Sequence, residues 1–160
     1  MSQLSGREAH TGGCQCGNVR FRVRLLGRGS ICHCRMCQKA FGGCFGPLIT
    51  AHDATWTRGE PKWFQSSNSA RRGFCADCGT PVAYETKFGL ELAIGAFDDP
   101  EVAAPKIQVN PHDKVSFFEG LTSLPWREND DDWRDFMAGI HSNQHPDHDT
   151  EDWPPKGRAA

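Results

Sequence analysis

Apolar and polar side chains alternate with a period of two along residues 18–25, and this is the clearest pattern in the chain. The apolar positions are Val19, Phe21, Val23 and Leu25, and the basic positions between them are Arg20, Arg22 and Arg24. A period of two is typical of a β-strand with one buried face. We therefore predict a strand here, with the three arginines on a solvent-exposed face.

Shorter apolar runs bounded by glycine, proline or serine predict further strands and one tight turn. The predicted strands are 47–50, 62–66, 81–84, 90–95 and 106–109, and the predicted turn is 27–30. Near the C-terminus, apolar residues recur at helical spacing behind a run of aspartates, which favour a helix N-terminus. This pattern predicts one short amphipathic helix that contains Trp133, Phe136, Met137 and Ile140.

Composition supports a small, mainly β protein. The chain has 160 residues, enough for one domain, and its 17 glycines and 10 prolines favour short strands joined by turns. Eighteen basic and twenty acidic residues leave a net charge of −2, which argues against a nucleic acid partner. No apolar run reaches the ~20 residues needed to cross a bilayer, and the polar N-terminal segment lacks the pattern of a secretion signal. We expect a soluble cytoplasmic protein and make no prediction of its oligomeric state.

The eight cysteines carry most of the chemical information. They form the clusters Cys14-Gln-Cys16, Cys32-His-Cys34-Arg-Met-Cys37 and Cys75-Ala-Asp-Cys78, and Cys44 stands apart. An even count would favour disulfides in a secreted chain, but in a reducing compartment clustered thiols more often bind metal. Thiolates are soft ligands that suit zinc, so we predict a zinc protein.

The third cluster continues into Gly79, and Cys-x-x-Cys-Gly is the pattern of a zinc knuckle. A knuckle supplies two ligands, and a structural zinc site needs two more. Cys14 and Cys16 can supply them, because residues two apart on an extended segment point the same way. We predict a closed site of Cys14, Cys16, Cys75 and Cys78, with the pairing of Cys32 or Cys37 to the knuckle as the open alternative.

The second cluster then offers three ligands, Cys32, Cys34 and Cys37, which is the number found at zinc sites with an open position. Three thiolates make zinc a weak Lewis acid but favour a soft fourth ligand, such as the thiolate of a substrate. We therefore predict a catalytic site that activates a thiol. Two alternatives remain, since Cys44 or His33 could close this site and make it structural.

We divide the chain at positions 10 and 126. Residues 1–10 are expected to be a flexible leader, and residues 11–126 the zinc-binding domain. Residues 127–160 hold the predicted short helix and a polar tail that we expect to be disordered.

The motifs together resemble the glutathione-dependent formaldehyde-activating enzyme family, which includes centromere protein V. They are Gly12-Gly-Cys-x-Cys-Gly17, Cys32-His-Cys-x-x-Cys-Gln38, Arg72-Gly-Phe-Cys-x-x-Cys-Gly-Thr80 and Gly95-x-Phe-Asp-Asp-Pro100. The resemblance covers residues 10–126. It implies a β-tent fold with two zinc ions per chain, a closed four-cysteine site and a three-cysteine site close to bound glutathione.

The family's activity is the formation of S-hydroxymethylglutathione from glutathione and formaldehyde. The resemblance therefore implies a zinc-dependent carbon–sulfur lyase whose small-molecule partner is glutathione. A family does not fix the substrate, however. The alternative is a non-enzymatic zinc scaffold, or a glutathione-binding module, that acts with a protein partner.

Five residues beside the cysteine clusters are candidates for substrate binding: Gln38, Lys39, Phe41, Arg71 and Arg72. The first three follow the open zinc site directly and could form its walls. The two arginines could bind the carboxylates of a tripeptide in a bidentate manner. They could equally be a solvated pair on a strand.

Overall fold

The computed structural model describes residues 8–128 and 130–154. Within these ranges the chain forms ten strands, two α-helices and four short 3-10 helices. Most of the predicted flexible leader and the end of the predicted tail lie outside the described residues. The first strand already begins at His10.

The larger sheet has seven strands. In spatial order they are β10 (Ile107–Val109), β3 (Leu26–Cys32), β4 (Gly46–Ala51), β9 (Gly89–Ala93), β8 (Pro81–Thr86), β7 (Ala70–Phe74) and β6 (Lys62–Gln65). Neighbouring strands are antiparallel, except that β10 runs parallel to β3.

The smaller sheet has three antiparallel strands. They are β1 (His10–Gly13), β2 (Arg20–Val23) and β5 (Thr55–Arg58), in the order β1–β2–β5. The α-helices are α1 (Arg35–Phe41) and α2 (Asp131–Ala138), and the 3-10 helices are Ile94–Ala96, Pro100–Ala103, Pro111–Asp113 and Phe118–Ser123.

One hydrophobic core joins residues of the two sheets. Phe21 of β2 is fully buried in it, and its ring meets Phe97 and Trp56 edge to face at centroid distances of 5.1 and 6.2 Å. Ile49 of β4 and Leu92 of β9 belong to the same core cluster. Because one face of the larger sheet is covered in this way, its other face is left to form the site described below.

The prediction of a mainly β domain with a short C-terminal helix is confirmed, although α2 ends at Ala138, so Ile140, which was predicted to belong to the helix, lies beyond it. Helix α2 begins after Asp130, whose carboxylate accepts a hydrogen bond from the Trp133 N–H at 2.8 Å. The strand predicted at residues 18–25 is observed as the shorter β2, and the predicted apolar positions Val19, Phe21 and Val23 are all buried.

Two local predictions are wrong. Residues 27–30 do not form a turn but belong to β3, where the register against β4 shifts between Leu26 and Gly29, so the glycines accommodate a bulge. The exposed face predicted for the arginines of β2 fails at Arg20, which is only 3% exposed. Its guanidinium is buried because it pairs with Asp98 at 2.6 Å and Asp149 at 2.8 Å.

Candidate functional site

The β1–β2 connection and the β7–β8 connection bring four cysteine sulfurs together. Cys14, Cys16, Cys75 and Cys78 have their sulfurs within 4.8 Å of one another. This is the grouping that the sequence analysis proposed for the closed site. The alternative pairing, in which Cys32 or Cys37 joins the knuckle, does not occur in the structure, because those two residues belong to a separate group with Cys34.

The spacing of the four sulfurs fits a tetrahedral zinc ion. Sulfurs bound about 2.3 Å from such an ion stand about 3.8 Å apart. The Cys14–Cys16 and Cys16–Cys75 sulfur distances are 3.5 and 3.7 Å. All four thiols are free, so the contact is not a disulfide.

The turn that carries Cys75 and Cys78 is held by its own backbone. The Gly79 N–H donates to the Cys75 carbonyl at 2.9 Å, and Gly79 has a φ of 76°, which favours glycine.

The thiols of this group differ in pKa. Although burial acts in the opposite direction, hydrogen bonds from Thr80 and the Cys16 backbone lower the pKa of Cys78 to about 6. Burial raises the pKa of Cys16 and Cys75 instead. Four thiolates this close therefore need a cation to offset their charge.

The C-terminal segment packs beside this four-cysteine group. The Trp153 indole N–H donates to the Cys16 carbonyl, and the His145 backbone N–H donates to the Gln15 carbonyl at 2.8 Å. His145 is buried, and Asp149 binds Arg20 and Arg22. The polar composition of the tail gave no sign of these contacts.

The second cysteine group lies where β3 passes into α1. The sulfurs of Cys32, Cys34 and Cys37 are within 4.8 Å of one another. Cys34 is the N-cap of α1, and its sulfur accepts a hydrogen bond from the Cys37 N–H at 3.4 Å. A helical turn therefore points the two sulfurs toward Cys32 at the end of the strand.

Neither alternative fourth ligand joins this group. Cys44 is not among the residues whose sulfurs lie within 4.8 Å. The His33 ring is fully buried and engaged elsewhere, with Nε2 2.8 Å from the Gln108 side-chain oxygen and the ring perpendicular to that of Phe118 at a centroid distance of 4.8 Å. Neither Cys44 nor His33 therefore adds a fourth ligand atom to the three sulfurs of this group.

Two side chains donate hydrogen bonds to these sulfurs. The Asn110 amide lies 3.0 Å from Cys32 Sγ, and the Arg72 Nη2 lies 3.4 Å from Cys37 Sγ. Burial raises the pKa of Cys37 to about 12, even though Arg72 opposes this shift. For Cys34 burial also acts upward, but the Cys37 backbone N–H and the neighbouring thiols lower its pKa. The pKa values of Cys34 and Cys37 thus shift in opposite directions, and three thiolates at this spacing would need a cation to offset their charge.

The three sulfurs open into a cavity of about 510 Å³ on the uncovered face of the larger sheet. One cross-strand row forms much of its floor, because Thr50 pairs with Glu91, Glu91 with Tyr84, and Tyr84 with Arg72. The Arg72 guanidinium lies over the Tyr84 ring at 4.8 Å. Burial raises the pKa of both Tyr84 and Glu91. This volume is in the range of about 300–1,000 Å³ that small-molecule sites occupy.

The predicted substrate residues are distributed unevenly around this cavity. Arg72 lines it, whereas Arg71 points from the other face of β7, where it pairs with Glu85 and stacks over Trp63 at 4.3 Å. The buried Gln38 amide donates to the carbonyls of His33 at 2.6 Å and Asp113 at 2.9 Å, so it anchors α1.

The last two predicted substrate residues also lie outside this cavity. Lys39 lines a neighbouring, more apolar groove with Met36 and Phe64. Phe41 packs against the core and Gly46.

Tyr84, Glu91 and Asn110 were missed at the sequence level. Glu91 gave a weak signal, since it is a charged residue between Leu90 and Leu92 in a predicted strand and must face away from them. That signal does not reveal which side chains Glu91 faces, because the neighbouring residues of the sequence do not show which strands lie beside it in the sheet.

This geometry defines a class of protein: a small, mainly β domain with two groups of cysteines that could each hold a metal ion. The sequence profile of the glutathione-dependent formaldehyde-activating enzyme family matches residues 9–112. The chain belongs to this family, and the resemblance noted from its motifs is confirmed.

Comparisons with curated proteins and with solved structures add less information than the family profile. No curated protein matches the chain significantly. Among solved structures, the crystal structure of a Rhodobacter sphaeroides protein is similar to it, with 20% sequence identity and a TM-score of 0.49. That similarity covers 62% of this chain and 99% of the other. Within the described residues, no helix has the length and apolar character needed to span a membrane.

Proposed function

We propose that the chain binds zinc at both cysteine groups and adds the thiol of glutathione to formaldehyde at the three-cysteine group. The observation that carries this proposal is the opening of three clustered sulfurs into a cavity of about 510 Å³. Family membership supports glutathione and formaldehyde as the substrates. A zinc ion bound by three thiolates would supply one open position for a substrate thiol and keep that thiol ionised at neutral pH.

The chain's own residues would prepare this site in two ways. Arg72 and Asn110 donate hydrogen bonds to ligand sulfurs, which stabilises their negative charge and fixes their orientation. Arg72 is almost buried, with 9% exposure, so its positive charge is weakly screened by water. It would offset the additional negative charge of a substrate thiolate.

The proposed reaction is an addition without a change in oxidation state. The glutathione sulfur forms a bond to the aldehyde carbon, the carbonyl π bond breaks, and the oxygen takes up the proton that the thiol lost. The cavity would bring the two reactants together and raise the rate through proximity and orientation. All eight thiols are outside disulfides, which suits the reducing cytoplasm that we propose as the location.

NMR exchange spectroscopy tests the activity directly. We expect the zinc-loaded protein to accelerate exchange between free glutathione with formaldehyde and their adduct, and Cys34→Ser to abolish the acceleration. If the intact protein gives no acceleration, the enzymatic proposal is wrong and the zinc scaffold or glutathione-binding module becomes the better explanation.

Metal analysis of the same variants tests the two sites separately. We expect two zinc ions per wild-type chain and one in Cys34→Ser, which should stay folded. Cys78→Ser should lose its folded structure, since structural zinc supplies folding free energy. One zinc ion in both wild type and Cys34→Ser would contradict zinc binding at the three-cysteine group.

A further inference from the structure

Glu91 is a charged side chain that the proposed chemistry leaves without a role. It is half-buried in the row between Thr50 and Tyr84 and faces the cavity of the three-cysteine group. Among the described residues, its carboxylate has neither a hydrogen-bond donor nor an ion-pair partner. Burial without such partners raises its pKa, as noted above. A carboxylate in this position would be stabilised by a cationic group of a ligand.

Arg72, the cation that follows Tyr84 in the same row, is already engaged elsewhere. Arg72 directs Nη2 to Cys37 Sγ at 3.4 Å and Nε to Ser66 Oγ at 3.2 Å, and its guanidinium lies flat over Tyr84. Tyr84 therefore separates the guanidinium from Glu91. The cavity thus has one cation, Arg72, beside the sulfurs and one carboxylate, Glu91, farther along the sheet, and a second arginine, Arg28, also lines it.

A second cavity meets the first at Glu91. It has a volume of about 720 Å³ and shares Thr50, Tyr84 and Glu91 with the cavity of the three-cysteine group. Its other walls include the polar side chains of Asn68, Ser69, Thr86 and Lys87. Phe88 and Leu90 also line it, so a ligand that starts at the sulfurs and extends along the sheet would pass Glu91 and continue into walls of mixed polarity.

We propose that Glu91 binds the ammonium group of the thiol substrate and thereby selects thiols that carry an amine at a distance from sulfur. This assignment rests on the proposed function and names the substrate feature that the site recognises. Arg72, which lies 3.4 Å from Cys37 Sγ, is two strands away from Glu91, about 10 Å between backbones. The ammonium of extended glutathione is also about 10 Å from its thiol, whereas in free cysteine it is only about 3 to 4 Å away.

Calorimetric titration of the zinc-loaded protein, without formaldehyde, tests this assignment. The ligands are glutathione and N-acetylated glutathione, which keeps the thiol but lacks the ammonium charge. We expect wild type to bind glutathione about ten-fold more tightly or better, as for a hydrogen bond between charged groups. Glu91→Gln should bind both ligands equally, at the level of the acetylated compound in wild type.

Glu85→Gln is the matched control. Glu85 lies on the adjacent strand but pairs with Arg71 on the opposite face, so its removal should leave the preference for glutathione unchanged. Zinc content and circular dichroism of each variant check the fold. Glu91→Asp, which keeps the charge on a shorter side chain, should retain a reduced preference for glutathione.

The possible failures are distinguishable. Equal binding of both thiols by wild type, or an unchanged preference in Glu91→Gln, overturns the role of Glu91 and leaves the proposed function intact. Unchanged affinities with slower turnover of both thiols in Glu91→Gln would also overturn it, because that result indicates proton transfer. If wild type binds neither thiol, the proposed function itself fails.

Discussion

Arg20 and Arg22 stand two positions apart on β2, but their surroundings differ completely. Arg20 is 3% exposed and bridges the carboxylates of Asp98 and Asp149. Arg22 is 48% exposed and reaches only Asp149. Removing Arg20 would leave Asp98, which is 11% exposed, as a buried charge without its partner.

We expect Arg20→Met to lower the free energy of unfolding by about 3 kcal/mol, as is usual when one partner of a buried ion pair is removed. Arg22→Met should cost less than about 1 kcal/mol, since exposed pairs contribute little. Urea unfolding of the zinc-saturated proteins at pH 7 measures both values. Similar losses in the two variants would mean that the buried ion pair of Arg20 contributes no more than the exposed pair of Arg22.

Single residues were the hardest part of the structure to predict. The alternation in β2 identified Phe21 as buried, because burial of apolar side chains follows directly from the period. It could not identify Arg20 as buried, because the partners that make burial possible lie 78 and 129 residues further along the chain. The same holds for Glu91 and Tyr84, whose surroundings depend on strand pairing.

Local elements were predicted well where a specific motif or a period determines them, but the glycines of residues 27–30 led to a turn being predicted where the structure has a strand. The Cys-x-x-Cys-Gly pattern of residues 75–79 indicated a tight turn, and Gly79 indeed has a positive φ. Helix α1 was not predicted, because it is short and its N-cap is Cys34, a residue type that is not a usual capping signal. Its helical turn is nevertheless what directs Cys34 and Cys37 to the same point.

The turn of the four-cysteine group can be tested at Gly79. A methyl group added there would meet no atom within 4 Å, so Gly79→Ala changes only the backbone preference. Because φ is 76°, we expect a loss of about 1 kcal/mol in unfolding free energy and weaker zinc binding. Differential scanning calorimetry and zinc competition measure the two effects.

Gly95→Ala is the control for this variant. Gly95 also has open space around its would-be methyl group, but it is not among the glycines with positive φ. Gly95→Ala should leave the free energy of unfolding and the affinity for zinc almost unchanged. If the two variants behave alike, the strain argument is wrong.

At the scale of the whole molecule, residues beyond the range matched by the family profile also pack around the two cysteine groups. The match covers residues 9–112. Beyond it, Phe118 packs on His33, and the Asp113 carbonyl accepts a hydrogen bond from Gln38. Trp153 lies against the turn at Cys16. The segment after the matched domain thus contributes to the surroundings of both groups.

With zinc bound at both groups as proposed, these surroundings predict that the two ions leave at different rates. The four-cysteine group is flanked by the C-terminal segment, while the three-cysteine group opens into a cavity. We expect chelation to proceed in a fast and a slow phase, each of one ion. Trp153→Ala should accelerate the slow phase several-fold, because it removes the indole that covers Cys16.

Stopped-flow chelation with a coloured zinc indicator measures both phases. Trp126→Ala is the matched control, since Trp126 is 96% exposed and should affect neither rate. A single phase for both ions in wild type would contradict the difference in enclosure. Acceleration of the fast phase by Trp153→Ala would contradict the placement of Trp153.

The separation of the cysteines along the chain also has a consequence for how the protein is made. Cys32, Cys34 and Cys37 sit in one short segment, so with the proposed zinc occupancy they would be able to capture an ion before the rest of the chain is made. Cys16 and Cys75, by contrast, are 59 residues apart, so their group forms only after two distant hairpins have met. With the proposed zinc occupancy, the reactive ion would be loaded first and the stabilising ion last. Zinc supply during synthesis would therefore determine how much folded protein a cell accumulates.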